Sequence, residues 1–416
     1  MVKIANFAKR QIVISNFMKT NKSVILFFLF TVFFQLAFSQ DKVVSDVELY
    51  RKTISNKHKN PFTKISKEFF NQQLDTLISE VTTLNKEQVI VRLLKVNASI
   101  EDEHTIMFPN ADFYLPFQFK LFDEGIAITV TDSLHSKYLL YKVQSIDDIP
   151  IAEITSLLKT IIKQDNPSYS KFFEAFYLNN TSILQGLGII KNLQEAKFRL
   201  LSPQGDTVIA TVSSIKKEVV TNWKYAEPYK QLLAYSNYSN YWFQYNESNK
   251  ILYFNYRSCA ESKTESFAAF NERLFEVINE KKPAKLILDL RFNGGGNSAV
   301  LNPFIKAIKK SDLNNKNSFF VLIGQKVMSS SLMNAIELKR TTNATFIGEP
   351  TGGNINHFGE IKSFELPKLN MRVTYSSKYW ENWKNMEGPL TPDIFISNSY
   401  SDFLKASDKA IEKILQ

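Results

Sequence analysis

Cysteine is almost absent from this chain, and the absence limits how the fold can be stabilised. Only Cys259 is a cysteine, so neither an intramolecular disulfide nor a cysteine-rich metal site can form. Histidine is also scarce, with four residues, and no HExxH sequence or comparable ligand cluster occurs. We therefore expect no metal ion and no cofactor, and a fold that depends on its hydrophobic core.

Long apolar runs are missing except near the start of the chain. Residues 1–39 contain five basic side chains and no acid, and they include the 15-residue run "VILFFLFTVFFQLAF" and the small-residue site "AFS". This order is typical of a secretory signal peptide cleaved between Ser39 and Gln40. A membrane anchor is the alternative, but the run is short for a span. We expect a periplasmic or extracellular protein with no stable membrane span after cleavage.

Half of the net positive charge belongs to this leader. The whole sequence has a net charge of +10, whereas the chain without residues 1–39 has 46 Lys and Arg against 41 Asp and Glu, a net charge of +5. So small an excess does not indicate a nucleic-acid partner.

Apolar spacing divides the chain into regions. Residues 40–110 show the three- and four-residue steps of helices, with Ser66 and Asn85 as predicted N-caps. Residues 112–205 show short alternating runs typical of β-structure, including the strand-like "YLLYKVQSI" and a hairpin that turns at "PQGD". We interpret the polar, tyrosine-rich passage at 236–249 as a boundary.

The last region, residues 240–416, alternates strands with helices. The strands are predicted at "KILYFNYR", "AKLILDL", "SFFVLIG" and "ATFIGE". Such alternation predicts a mainly parallel sheet covered by helices, and ligands bind such sheets at the carboxyl ends of the strands. We assign the chain to the α/β class, α+β as a whole, with no internal repeat.

Two loops at these strand ends carry residues that a core does not need. Gly294, Gly295 and Gly296 follow one strand, where consecutive glycines can aim N–H groups at an anion or an oxyanion. A phosphate loop is the weaker alternative, because neither Gly-Lys-Ser/Thr nor GxGxxG occurs. The other loop ends in three serines, Ser329 to Ser331, at a predicted helix start. One of them is either a nucleophile with the next N–H as oxyanion donor, or the helix N-cap.

A serine nucleophile needs a base, and four histidines are available: His58, His104, His135 and His357. We interpret the first and third as solvated residues. His104 follows Asp102 and Glu103, and His357 precedes Glu360, so each of these two has a neighbouring carboxylate that could orient it.

Four motifs then stand in order along the chain: "AKLILDLRFNGGGNS", the "SSS" helix start after "FFVLIG", "ATFIGEPTGGN" and "EGPLTPDI". Together they resemble the C-terminal-processing and tricorn family of serine peptidases. The resemblance extends to "IEDEHT", which is similar to the family's Asp-x-His-Thr, and to "LLYKVQSIDDIPI", which is similar to a strand pair of a PDZ module. It implies a PDZ-like domain at 112–205 and an α/β catalytic domain of the ClpP and crotonase type at 240–416.

The resemblance also implies roles for single residues. Ser329 matches the nucleophile, and the N–H of Ser330 with Gly294 and Gly295 would form the oxyanion hole, leaving Ser331 as helix surface or cap. Asn354 stands where the C-terminal-processing branch has its lysine base, so the chain is closer to the tricorn-like branch.

In the tricorn-like branch, a histidine before the PDZ module is the base and a late carboxylate completes the relay. His104 matches that histidine and Glu387 is the candidate carboxylate, with His357 and Glu360 as the alternative pair. Glu103 replaces the family's serine before the histidine, and Tyr141 replaces a glycine of the PDZ-like strand.

The sequence therefore predicts an exported serine endopeptidase that acts on a polypeptide, with a PDZ-like module that presents the substrate. A non-catalytic peptide-binding protein on the same scaffold is the alternative, motivated by Asn354 and Glu103. Hydrolysis of a small ester or a cell-wall peptide would use the same chemistry.

Overall fold

Three helices form the N-terminal region, as the apolar spacing predicts. The computed structural model describes residues 43–216 and 222–416, so the predicted signal peptide at 1–39 lies outside the described residues. The first elements are α1 (residues 43–57), α2 (Lys67–Glu80), α3 (Lys86–Ala98) and β1 (Met107–Pro109). The Oγ of Ser66 accepts the N–H of Phe69, and Asn85 forms a capping box with Gln88, so both predicted N-caps are confirmed.

A β-rich module follows, with an antiparallel sheet and three helices. Its elements are β2 (Phe117–Phe122), β3 (Gly125–Thr131), β4 (Lys142–Ile146), β5 (Ile149–Pro150), α4 (Ile151–Lys159), α5 (Pro167–Tyr177), α6 (Thr181–Gly186), β6 (Glu195–Leu201) and β7 (Thr207–Ser213). The strand order is β2-β3-β4-β6-β7, with β5 beside β4, and β2 is an edge strand. The predicted β6–β7 hairpin is confirmed. The strand expected at "YLLYKVQSI" begins only at Lys142, because a 3-10 helix at Ser136–Tyr138 and the positive φ of Leu140 precede it.

The last region is built on a parallel sheet of the predicted kind. Its elements are β8 (Lys224–Tyr225), α7 (Pro228–Gln231), β9 (Tyr241–Asn246), β10 (Ile251–Tyr256), α8 (Phe267–Lys281), β11 (Lys285–Asp289), α9 (Asn302–Ile308), β12 (Phe319–Ile323), α10 (Ser329–Thr341), β13 (Thr345–Gly348), β14 (His357–Leu366), β15 (Met371–Trp380), β16 (Ile394–Phe395), α11 (Tyr400–Leu404) and α12 (Lys409–Leu415). The order is β16-β13-β12-β11-β10-β9, and only the β9–β10 pair is antiparallel. The α/β assignment is confirmed.

The passage at 236–249, expected to be a boundary, contains β9, a strand that was not predicted. Two adjacent aromatic residues explain this: Tyr241 packs on Phe267 and Phe270, and Trp242 packs on Tyr253 across the other face of the sheet. Both are buried, so a passage that is polar in composition still supplies an edge strand.

A long hairpin joins the N-terminal and C-terminal regions. Strands β14 and β15 form a three-stranded sheet with β1, in which Met107 pairs with Val373. The Oγ1 of Thr374 donates to the carbonyl oxygen of His104 at 2.7 Å. The hairpin therefore holds the segment before β1 against the C-terminal region. Among the described residues, no helix is both long and apolar enough to cross a membrane.

Candidate active site

The glycine loop after β11 adopts a backbone that other residues reach only with strain. Gly295 and Gly296 have φ values of +113° and +136°, and a Cβ at Gly296 would lie 2.3 Å from the carbonyl oxygen of Cys259. The side chain of Asn293 fixes the turn, because its Oδ1 accepts the N–H of Gly295 at 2.9 Å. The N–H of Gly294 donates no hydrogen bond within the described residues. Of the two glycines predicted as oxyanion donors, Gly294 has the free N–H in this structure.

Ser329 has the backbone of a constrained residue. It is the first residue of α10, with φ 55° in the left-handed region, which costs a non-glycine residue about 1 kcal/mol or more. Its Oγ forms no hydrogen bond with a described residue, whereas the hydroxyl groups of Ser330 and Ser331 donate to the carbonyl oxygens of Gly296 and Asn293, both at 2.7 Å. These two bonds hold the helix start against the glycine loop and leave one serine hydroxyl free.

Two expectations about the serines are wrong. The N-cap of α10 is Met328, with no side-chain capping bond, so none of the serines is the cap. Ser331 is fully buried rather than on the helix surface, because its hydroxyl satisfies a buried carbonyl group. The helix start therefore keeps free N–H groups, and the Ser330 nitrogen lies 3.2 Å from where a Cβ of Gly295 would stand.

The loop after β13 connects the serine to the histidine segment. A Cβ at Gly353 would lie 3.2 Å from Met328 Cα and 3.0 Å from Glu103 Oε1. Gly353 therefore contacts the residue before the candidate nucleophile on one side and the residue before the candidate base on the other. The buried amide of Asn166 holds this loop by donating to the carbonyl oxygen of Gly352 at 2.8 Å.

His104 faces a buried carboxylate. Its Nδ1 is 3.7 Å from Glu103 Oε1, and both atoms are buried without a hydrogen-bond partner. The second oxygen, Glu103 Oε2, accepts the N–H of Asn354 at 2.8 Å, which fixes the carboxylate in place. A movement of less than 1 Å would bring imidazole and carboxylate to hydrogen-bond distance. At 3.7 Å the two atoms are not hydrogen-bonded in this structure.

The expectation that His58 is solvated is wrong. Its side chain is buried, Asn60 donates its N–H to Nδ1 at 3.1 Å, and Nε2 therefore carries the proton that it donates to Asp102 Oδ2 at 2.9 Å. Asp102 also accepts the N–H of His104 at 3.0 Å. Burial alone would raise the pKa of Asp102, but the hydrogen bond from His58 and the nearby His104 outweigh it, so that the pKa is lowered.

His135, also expected to be solvated, lies in a turn and is partly buried. Its Nδ1 is 2.7 Å from Asp132 Oδ1, and its ring packs against Phe117 and Tyr138, which leaves 17% of the side chain exposed. It lies in the β-rich module and is not among the residues around Ser329.

His357 stacks on His104, with the ring centroids 5.6 Å apart and the planes at 29°. Its Nδ1 is 2.8 Å from the carbonyl oxygen of Asn354, so Nδ1 is the protonated nitrogen and Nε2 is available as an acceptor. Glu360 is exposed and forms no ion pair with His357. The structure thus brings both candidate bases to one place but does not pair the second one with Glu360.

Glu387 is exposed and bonds to neither histidine. Its neighbours, however, pair with the loop after β13, since Ile355 donates its N–H to the carbonyl oxygen of Gly388 and Asn354 forms a β-bridge with Pro389. Glu387 is therefore next in sequence to a segment that touches the Asn354 loop. Its catalytic role stays a prediction.

Comparison with known proteins identifies the fold. No family model and no curated protein matches the sequence. Among solved structures, mature CPAF in complex with lactacystin aligns with a TM-score of 0.64 and 11% identity, over 91% of this chain and 98% of that one. Mature CPAF alone aligns with a TM-score of 0.62 and 11% identity, over 91% and 96%. The chain has the fold of CPAF.

The fold that the sequence resemblance implied is therefore confirmed. Tricorn protease and the photosystem II D1 C-terminal processing protease also align, over 90% and 86% of this chain, but their TM-scores of 0.42 and 0.39 are too low to support an argument. At 11% identity the likeness to CPAF is a likeness of fold.

Within this CPAF fold, a cavity of about 590 Å³ lies between the β-rich module and the C-terminal sheet. Strand β2 and helix α5 line one side, and residues 323–326 and 348–349 at the ends of β12 and β13 line the other. Tyr141 lies in the β-rich module, directly before β4, and is half-buried. Its N–H donates to the carbonyl oxygen of Tyr138. Lys326, which lines the cavity, belongs to the loop that precedes Ser329.

Sequence reasoning missed three residues that shape the site: His58, Asn166 and Asn293. The asparagine before three glycines is a recognisable turn signal, because its side chain caps the N–H two residues on. His58 and Asn166 have no such local signal, because each forms its hydrogen bond with a residue more than 40 positions away in the sequence. Within residues 43–216 and 222–416, no group of three or more His, Cys, Asp or Glu side chains is placed to hold a metal ion.

Proposed function

We propose that the protein is an exported serine peptidase with Ser329 as nucleophile and His104 as base. The observation that carries the proposal is the contact made by Gly353, which touches both the start of α10 and the carboxylate of Glu103. One site then contains three features: a free serine hydroxyl at a helix start, a glycine loop with a free N–H, and a buried histidine next to a carboxylate. These are the parts that acyl transfer requires.

The proposed reaction begins when His104 takes the proton of the Ser329 hydroxyl. The oxygen attacks the peptide carbonyl carbon, and the N–H groups of Gly294 and Ser330 stabilise the negative oxygen of the tetrahedral intermediate. His104 returns the proton to the leaving amine as the C–N bond breaks. Water then attacks the acyl-enzyme through the same base and releases the acid and the free serine.

His104 is favoured over His357 because a carboxylate faces its Nδ1, which leaves Nε2 to act as base. His357 Nδ1 is held by a neutral carbonyl group, which orients the ring without stabilising a positive charge. Replacing each histidine by alanine separates the two assignments. Loss of activity in His357→Ala with full activity in His104→Ala would overturn ours.

We propose that the β-rich module is PDZ-like and presents the peptide substrate. Strand β2 pairs only with β3 among the described residues, and its other edge borders the cavity, where the carbonyl oxygen of Leu121 accepts from Asn398 Nδ2. An extended peptide could add to that edge and run towards Ser329. The backbone of Leu121 faces away from β3, because its carbonyl oxygen accepts from Asn398 Nδ2 at 3.0 Å. Replacing Leu121 by proline should therefore leave the β2–β3 pairing intact and weaken peptide binding.

Covalent labelling tests the nucleophile. A fluorophosphonate should label the purified protein once, and the label should vanish in Ser329→Ala but persist in Ser213→Ala, a control at an exposed serine of β7. Wild-type protein that never labels would refute the proposal. Export is tested separately, because the mature protein isolated outside the cytoplasm should begin at Gln40.

A non-catalytic peptide-binding protein is the second candidate, and the long distance between His104 Nδ1 and Glu103 Oε1 favours it over an assembled relay. Tight peptide binding without turnover by the full protein would support this alternative. Measurable cleavage that disappears in Ser329→Ala would exclude it.

A further inference from the structure

Asn354 forms hydrogen bonds through its backbone and through its side chain. Its N–H donates to Glu103 Oε2 at 2.8 Å, and its carbonyl oxygen accepts from His357 Nδ1 at 2.8 Å. Its side chain donates to Asp165 Oδ2 at 2.7 Å and accepts from Asn166 Nδ2 at 3.0 Å. The backbone of this one residue therefore contacts both groups that flank the candidate base, and its side chain is held by the turn between α4 and α5.

That turn is itself fixed in place. Asn166 is fully buried and caps α5, because its Oδ1 accepts the N–H groups of Ser168 at 2.9 Å and Tyr169 at 3.3 Å. The hydroxyl of Tyr169 donates to the carbonyl oxygen of Glu103 at 3.2 Å. The start of α5 thus holds the backbone of Glu103 directly and its carboxylate through Asn354.

A buried cation neutralises Asp165. The ammonium group of Lys163 pairs with Asp165 Oδ1, and the two side chains are only 3% and 20% exposed. Asp165 thus uses one oxygen for the cation and the other for Asn354. A hydrogen bond to an ionised carboxylate is stronger than one between neutral groups. Because the ion pair is neutral as a whole, this bond fixes Asn354 without adding an uncompensated charge to the site.

The position of the Glu103 carboxylate decides whether it can orient the base. Glu103 Oε1 and His104 Nδ1 are 3.7 Å apart, so a shift of less than 1 Å completes the hydrogen bond and an opposite shift removes the contact. Neither Asn354 nor Asp165 lines the cavity. Any effect of these two residues on the reaction therefore passes through the groups they hold and not through a peptide in the cavity.

We propose that Asn354 and Asp165 are positioning residues, in that Asn354 sets the Glu103 carboxylate opposite His104 and Asp165 fixes Asn354. This role rests on the proposed function. It assigns a task to the residue that stands where a lysine base was expected: Asn354 transfers no proton, and it holds the groups beside the base through its N–H and its carbonyl oxygen.

A double-mutant cycle tests this role. A proteome-derived peptide library first locates a cleavage site of the wild-type protein, and a quenched fluorescent peptide built on that site then gives kcat and KM. We expect Asn354→Ala to lower both kcat and the rate of fluorophosphonate labelling about tenfold, with KM unchanged. In the Glu103→Gln background no carboxylate remains to be positioned, and the same substitution should lower kcat by less than about twofold.

Asp165→Ala should reproduce this pattern without changing Asn354 itself. Asp165→Asn should recover most of kcat, because its amide oxygen can still accept from Asn354 Nδ2. Asn314→Ala is the matched control and should leave kcat unchanged. This half-buried asparagine also holds a loop through its side chain, which accepts the N–H of Asn343 at 2.8 Å and donates to the carbonyl oxygen of Lys309 at 3.3 Å, away from the candidate site.

Equal losses in the two backgrounds, or a wild-type kcat in Asn354→Ala, overturn the positioning role while the peptidase stands. Thermal unfolding shows whether each variant is folded, and the cycle is measured with Asp165→Ala if Asn354→Ala is not. Absence of both fluorophosphonate labelling and cleavage in the wild type overturns the proposed function itself, so the two failures are distinguishable.

Discussion

Replacing Glu103 by glutamine removes one charge from the candidate site and little else. The amide oxygen of the new side chain can still accept the N–H of Asn354, so the loop contact is retained. The carboxylate that faces His104 Nδ1 is lost, however, and the imidazolium that forms in the transition state then lacks its counter-charge.

The size of the effect follows from the distance. Unit charges 3.7 Å apart attract each other by about 4 kcal/mol at an effective dielectric constant of about 20. The two side chains are only 7% and 2% exposed, so solvent screening is small. Since each 1.36 kcal/mol changes a rate about tenfold, we expect kcat/KM to fall by about 10² to 10³.

The assay is peptide cleavage together with the rate of fluorophosphonate labelling, with thermal unfolding as a check on folding. Glu101→Gln is the matched control, because it changes a neighbouring carboxylate that forms no ion pair. Glu103→Asp keeps the charge and should recover part of the activity. A loss of less than about threefold in Glu103→Gln, combined with a large loss in Glu387→Gln, would refute the reasoning and assign the relay to Glu387.

Three further predictions concern stability. Ser329→Gly should abolish labelling yet raise the free energy of unfolding by about 1 kcal/mol, because glycine adopts φ 55° without strain; an unchanged or lower stability would contradict this. His58→Ala should cost about 3 kcal/mol in chemical denaturation, since it leaves the Asp102 carboxylate buried without its partner, whereas His135→Ala, at a more exposed pair, should cost less than about 1 kcal/mol. Burial would raise the pKa of Glu124, but backbone N–H groups outweigh it and lower the pKa from 4.5 to about 2. The Glu124 carboxylate therefore contributes to the free energy of unfolding above pH 4.5, and this contribution is lost as the pH falls towards 2. Glu124→Gln should be less stable than the wild type at neutral pH and equally stable in acid. An equal loss of stability at all pH values would show that the charge is not responsible.

Local patterns predicted the elements whose stabilising contacts are close in sequence. The capping residues Ser66 and Asn85 bond within three residues of themselves, and so both were readable from the sequence. The β6–β7 hairpin turns within one short segment. In the last region, β11 and β12 are buried along almost their whole length, so each is visible in the sequence as a continuous apolar run. Strand β9 escaped prediction, because its place in the sheet depends on Phe267 and Phe270 of a later helix.

For the candidate site, the order of motifs in the sequence determined the fold and pointed to Ser329 and two histidines. Only the tertiary structure decided which groups stand together: His104 with Glu103 and His357, Glu103 with Asn354, and Asn354 with Asp165. The physical reason is distance along the chain. Glu103 and Asn354 are 251 residues apart, and their contact depends on how β1, β14 and β15 pair, which no local propensity encodes.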